Sequence, residues 1–194
     1  MMETIKTIDE SLFLFMNGQH NAFFDSLMWL FSDRFFWIPL YAWFLWLLYK
    51  RYPKHYWTAI IAIALMIASS DQLCNLFKEN VMRLRPSQEP HLQSFVHVLR
   101  DYNGNEYRGG SFGFYSSHAS NAFAVALFLI VNIAKQRKYI IPISLSYALL
   151  TAYSRIYLGV HYPVDVLTGV ITGSLLGTGF AVIHNKLRIK YLKE

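Results

Sequence analysis

The chain has 194 residues, enough for one domain or two small ones. Hydrophobic residues make up 54% of it and charged residues 15%, against about 25% charged in soluble domains. That balance excludes a disordered chain, a nucleic-acid-binding tail and a disulfide scaffold, and makes a membrane protein the leading class. The net charge of +6 then needs a cause: nucleic acid, anionic lipid, membrane orientation or a phosphate site.

Residues 1–20 come first. Ile5, Ile8, Leu12, Phe15 and Met16 recur at helical spacing, with Asp9, Glu10 and Asn17 off that stripe. The pattern predicts a helix that either lies on the membrane or packs as the first helix of a bundle. The segment lacks a basic start and an unbroken apolar core, so it does not read as a signal peptide. Five apolar runs follow. The first is Phe35 to Tyr49, extended backward past Ser32, Asp33 and Arg34 toward Leu27. The others are Trp57 to Phe77, Ser117 to Ala134, Tyr139 to about Tyr157, and Val164 to His184. A spanning helix needs about 20 residues. The expected fold is therefore all-α, one domain over residues 1–194: an integral membrane bundle of five to six transmembrane helices. A structured outer-face loop is expected at residues 78–116.

The single cysteine, Cys74, excludes an intrachain disulfide and a cysteine-based zinc site. Within an apolar run it reads as a small buried hydrophobe. Gly169, Gly173 and Gly177 are four apart, a stripe that admits a second helix backbone, either in a dimer or within the bundle.

Five spans place three basic segments on one side. These hold Lys50, Arg51 and Lys54; Lys135, Arg137 and Lys138; and Lys186, Arg188, Lys190 and Lys193. By the positive-inside rule that side is the cytoplasm, and ten of the 18 basic residues are explained by orientation alone. The loop at 78–116 then lies outside, yet it is rich in cations.

Three clusters fall at that outer face. Lys78 and Arg85 are seven apart, aligned if a helix continues out of the membrane to Pro86. Two cations on one face suit a phosphate-sized anion, or equally a lipid headgroup. Ser116 and Ser117 precede an apolar helix and read as capping residues whose neighbouring amides bind anions, with His118 in the first turn. Arg155 ends the fourth run, and His161 and Asp165 open the fifth at a spacing of four. On a helical turn that carboxylate can accept the imidazole N–H and leave the other nitrogen free. Taken together the set is three cations, two histidines, one carboxylate and two helix-start serines. Two histidines and an aspartate could hold zinc, but the surrounding cations would repel it, so no metal and no cofactor is expected.

These motifs resemble the type 2 phosphatidic acid phosphatase superfamily. The matching residues are Lys78, Arg85 and Pro86; Ser116 and His118; and Ser154, Arg155, His161 and Asp165. That family includes membrane lipid phosphatases, undecaprenyl pyrophosphate phosphatases, lipid A phosphatases and soluble vanadium haloperoxidases. One departure is Tyr115-Ser116-Ser117-His118, where the family pattern is Pro-Ser-Gly-His. The resemblance implies that His161 attacks phosphorus, Asp165 orients it, and His118 protonates the leaving oxygen. It implies that Lys78, Arg85, Arg155, Ser116 and the Ser117 amide hold the phosphate oxygens. The expected partners are a lipid phosphate substrate and the bilayer, not nucleic acid. Undecaprenyl pyrophosphate or a lipid A phosphate leads, with phosphatidylglycerol phosphate as an alternative. The expected setting is a cytoplasmic (inner) membrane with the site on the outer face.

Asp71 lies inside the second run, seven before Lys78, where it can brace an active-site cation or bond a neighbouring helix. Arg83, Arg100, Arg108, His91 and His97 are candidates for a substrate lid. The rivals are a non-catalytic lipid-binding or transport protein and a vanadate-using haloperoxidase. Transport predicts charges near the midplane of several spans, whereas only Asp71 lies inside one.

Overall fold

The computed structural model describes residues 2–101 and 103–192, so Lys193 of the basic tail lies outside the described residues. They form α1 (Met2–Asn17), α2 (Ala22–Ser32), α3 (Ile38–Arg51), α4 (Tyr56–Val81), α5 (Ser117–Ile133), α6 (Ile140–Tyr157) and α7 (Pro163–Leu192), with a 3-10 turn at Pro86–Gln88. The all-helical expectation holds for them.

Local signals set the helix ends. Asn21 caps α2 by accepting the Phe24 N–H at 3.0 Å. Ser116 caps α5, accepting from Ala119 N at 3.4 Å. Proline starts α7 at position 163, where its missing N–H costs nothing.

Helix α5 is the axis of the bundle. Ala119, Ala122, Ala124, Ala126, Phe128 and Leu129 are all buried along it. The alanines allow α7 to approach closely. A Cβ on Gly173 would lie 2.1 Å from the Ser120 carbonyl oxygen, and one on Gly177 2.3 Å from that of Ala124. The glycine stripe is therefore a contact within the bundle.

Three expectations need correction. The first run is not one helix: Asp33 caps α2 and the chain turns through 34–37 before α3 begins. The 14 residues of α3 rise about 21 Å, short of a hydrocarbon core of about 30 Å. Among the described residues two helices, α4 and α7, are long and apolar enough to cross a membrane. Helix α4 also does not carry Arg85. It stops at Val81, with Met82 in the left-handed region at φ 47°, and an extended segment follows. The fifth run ends at His184, but the helix continues to Leu192.

The outward faces are apolar: Leu65, Leu149, Leu167 and Leu175 are each more than half exposed. An exterior this greasy suits lipid rather than water. Helix α1 follows the same logic. Its apolar stripe, with Ile8 62% and Phe15 67% exposed, faces outward. Asp9, Phe13 and Asn17, i, i+4 and i+8, are buried against the bundle.

Candidate active site

The ends of α4 and α6, the starts of α5 and α7 and the loop at 82–116 meet at one end of the bundle. The loop is folded. Leu84 pairs with Phe112 in an antiparallel bridge, and Arg85 N donates to Ser111 O at 3.1 Å. This pairing, not a helix, delivers Arg85. Its guanidinium is buried, donating to Phe112 O at 3.2 Å and Val160 O at 3.3 Å. Gly113 sits beside it. A Cβ there would lie 3.2 Å from both the Arg85 side chain and Asp165 Oδ2, so the bare backbone lets the two motifs close together.

At the start of α5 the serines divide the work. Ser116 is fully buried, its Oγ spent on the helix cap and its N–H on the Asp165 carbonyl at 3.1 Å. Lys78 donates to the Ser117 hydroxyl at 3.0 Å, and Cys74 Sγ lies 2.8 Å from the same oxygen and donates to Tyr115 O. The serine standing in the family's glycine position thus tethers Lys78 to the α5 N-terminus. Cys74 is buried as expected, but it is also a hydrogen-bonding member of this chain.

Arg155 is buried at the end of α6, donating to Ser32 Oγ and to the Tyr107 hydroxyl at 3.1 Å. The Arg155 and Arg85 charges outweigh burial and lower the Tyr107 pKa. His161 follows in the α6–α7 loop, 2% exposed. Burial first, then Arg85, Arg155 and Lys78, holds its pKa well below 6.5. It is therefore a neutral imidazole at pH 7, ready to share a lone pair. His118, in the first turn of α5, is exposed to two cavities and within electrostatic reach of Arg155, His161, Arg85 and Lys78.

The His161–Asp165 pair is looser than the spacing suggested. Nδ1 and Oδ2 are 3.6 Å apart, too long for a hydrogen bond, and Nδ1 has no hydrogen-bond partner. His161 lies before α7 begins, so the two are not stacked on one helical turn. Both oxygens of the fully buried Asp165 are taken: Oδ1 by Arg83 Nη1 at 2.9 Å, Oδ2 by the Tyr162 N–H at 3.0 Å.

Of the lid candidates, Arg83 alone joins this network. Arg108 pairs with Glu106, His91 lies between Glu89 and Glu10, and His97 bonds Asp25. Arg100 bridges to Glu106 through the backbone. Asp71 accepts from Asn121 of α5 at 2.9 Å, the neighbouring-helix bond rather than a brace for a cation. Sequence reasoning missed Ser32, Tyr107 and Asp9, whose partners are distant in the chain.

Two cavities of about 510 Å³ each meet at His118, Ser32 and Arg34. One runs into the bundle between apolar walls that include Phe44, Leu48, Ile63, Ile67 and Val125. The other is the more polar of the two and is lined by Trp29, Asp33, Tyr107 and Leu158. Among the described residues no group of three His, Cys, Asp or Glu side chains could hold a metal ion.

The sequence profile of the PAP2 superfamily matches residues 59–189, which include every residue of the three motifs. The chain belongs to the PAP2 superfamily. Its PAP2 relatives include lipid A 4'-phosphatase of Bacteroides thetaiotaomicron, 40% identical over 192 residues, covering 96% of this chain and 81% of that one. The protein of the same name from Porphyromonas gingivalis is 34% identical over 193 residues, covering 98% and 79%. A transmembrane PAP2-type phosphatidylglycerolphosphate phosphatase from Bacillus subtilis has the same fold, with a TM-score of 0.70 over 95% of this chain and 88% of that one at 24% identity. The crystal structure of Aquifex aeolicus LpxE superposes with a TM-score of 0.60 at 26% identity, covering 91% and 93%. The PAP2 chain described here is accordingly a phosphatase.

Proposed function

We propose that this protein is a metal-independent lipid phosphatase of the cytoplasmic membrane that works through a phosphohistidine, with a lipid A phosphate as its leading substrate. The observation that carries the lipid reading is the meeting of the two cavities at His118. A phosphate held there has the more polar cavity, with Asp33 and Tyr107, on the headgroup side and an apolar groove for chains on the other. Two lipid A 4'-phosphatase relatives that align over nearly the whole chain support the choice of lipid A. Undecaprenyl pyrophosphate and phosphatidylglycerol phosphate are the substrates to compare.

The residues carry the chemistry in two steps. The neutral His161 attacks phosphorus with its free nitrogen lone pair, forming a P–N bond as the P–O bond to the leaving group breaks. His118 gives a proton to that oxygen. Asp165, 3.6 Å from Nδ1, stabilises the positive charge that develops on the His161 ring. His118 then takes a proton from water, whose oxygen attacks phosphorus and breaks the P–N bond. Lys78, Arg85, Arg155 and the Ser117 amide hold the phosphate oxygens, most strongly in the transition state. The same three cations disfavour a metal ion.

The basic segments lie at the other end of the bundle, where Arg51 and Arg188 flank the Tyr52 ring at 4.9 and 4.5 Å. With that end cytoplasmic, the site opens at the outer face, and α3 to α7 are the five spans. Phosphate release in detergent and excess chelator tests the reading across the three lipids. Turnover fastest on the lipid A phosphate is expected. Activity restored only by an added metal would overturn the mechanism, and preference for another of the lipids would overturn the substrate.

A further inference from the structure

A part-buried charged pair that the two-step chemistry leaves unused is Arg83 with Asp9 behind it. Arg83 lies just past the end of α4 and divides its guanidinium between two carboxylates: Nη1 to Asp165 at 2.9 Å and Nη2 to Asp9 at 2.7 Å. Its plane rests over the Tyr162 ring, 3.9 Å from the centroid. The other Asp9 oxygen accepts the Val164 N–H at 2.9 Å, in the first turn of α7. Asp9 is 3% exposed although it belongs to the N-terminal helix, 74 residues from Arg83 and 155 from Val164. A carboxylate is costly to bury, and this one is completely bonded.

We propose that Asp9 and Arg83 are positioning residues that set the charge and angle of Asp165 toward His161, which makes α1 part of the active-site scaffold. These three bonds, with the Tyr162 N–H bond to Oδ2, fix the rotation of Asp165, keeping Oδ2 at 3.6 Å from Nδ1. Asp9 also competes for the arginine. Without it, Arg83 would neutralise Asp165 alone, and less negative charge would meet the ring as His161 is phosphorylated. Burial lowers the Arg83 pKa, but Asp165 and Asp9 more than offset it, so the guanidinium stays charged.

The inference rests on His161 being the nucleophile, and the experiment separates the two. The rate of phosphoenzyme formation is measured by rapid quench in purified full-length protein, with Asp9→Asn, Arg83→Ala and Asp9→Glu beside His161→Ala. Asp9→Asn, which loses both angle and charge at Asp165, should slow the step by about 10- to 100-fold, as is usual when a group orienting a reactive residue is lost. Arg83→Ala should slow it less, because the lost angle is partly offset by a more negative Asp165. KM should stay near wild type, because neither side chain holds phosphate. Asp9→Glu, which keeps the charge, should recover part of the rate. A purely structural role would lower the trapped amount and the melting temperature while leaving the rate of the folded fraction unchanged. That result, or wild-type rates in both variants, overturns the inference. Turnover by His161→Ala would instead overturn the nucleophile assignment.

Discussion

The two ends of the bundle carry similar side chains put to opposite uses. At the basic end His184, Asn132, Tyr52 and Thr58 form a closed network. His184 Nε2 is 3.0 Å from Thr58 Oγ1, its Nδ1 is 3.3 Å from Asn132, and Tyr52 donates to Asn132 at 2.9 Å. At the other end His161 Nδ1 and Arg155 Nε are buried without a hydrogen-bond partner, and His118 faces open cavities. Buried polar groups are normally satisfied. A histidine with both nitrogens occupied pins helices together, whereas one facing a cavity beside three cations can meet a phosphate. Access to a cavity beside those cations, more than residue type, separates chemistry from scaffold here.

That contrast can be broken in order of expected effect. His161→Ala should remove turnover altogether while the protein still inserts and folds, measured as phosphate release against melting temperature. Next, His118→Ala should lower kcat by about 10²- to 10⁴-fold, the usual worth of a general acid, with KM little changed. A smaller effect is expected in a ¹³C-histidine titration of the solubilised enzyme. Because burial and the three cations depress His161, it should stay neutral as pH falls through 6.5 and protonate only below it. Arg85→Ala should move that midpoint upward, and a wild-type midpoint at or above 6.5 would contradict the electrostatic account. At the closed end, His184→Ala should cost about 1–3 kcal/mol of stability through its broken hydrogen bonds. Its kcat should stay within about twofold of wild type, since the site is distant.

The helices and the motif residues were legible in the sequence because both depend on short-range spacing. The runs from Ser117 and from Tyr139 became α5 and α6 almost residue for residue, since a capping serine and a basic turn bound them. What was not legible is non-local. Arg85 arrives through pairing of Leu84 with Phe112 across the folded loop, and Arg83 finds Asp9 on a helix far back in the chain. The buried face of α1 was hidden for a further reason. Its apolar stripe turns outward, while Asp9 and Asn17 lie beside Phe13 on the buried face, the reverse of a soluble helix.

The central claim is that His161 carries the phosphoryl group. It is tested most directly by quenching the enzyme during turnover at alkaline pH, where phosphohistidine survives, and locating the phosphate by peptide mass spectrometry. A phosphoryl group on His161, absent from His161→Ala, is the expected result. A fully active enzyme with the phosphate on another residue would contradict it.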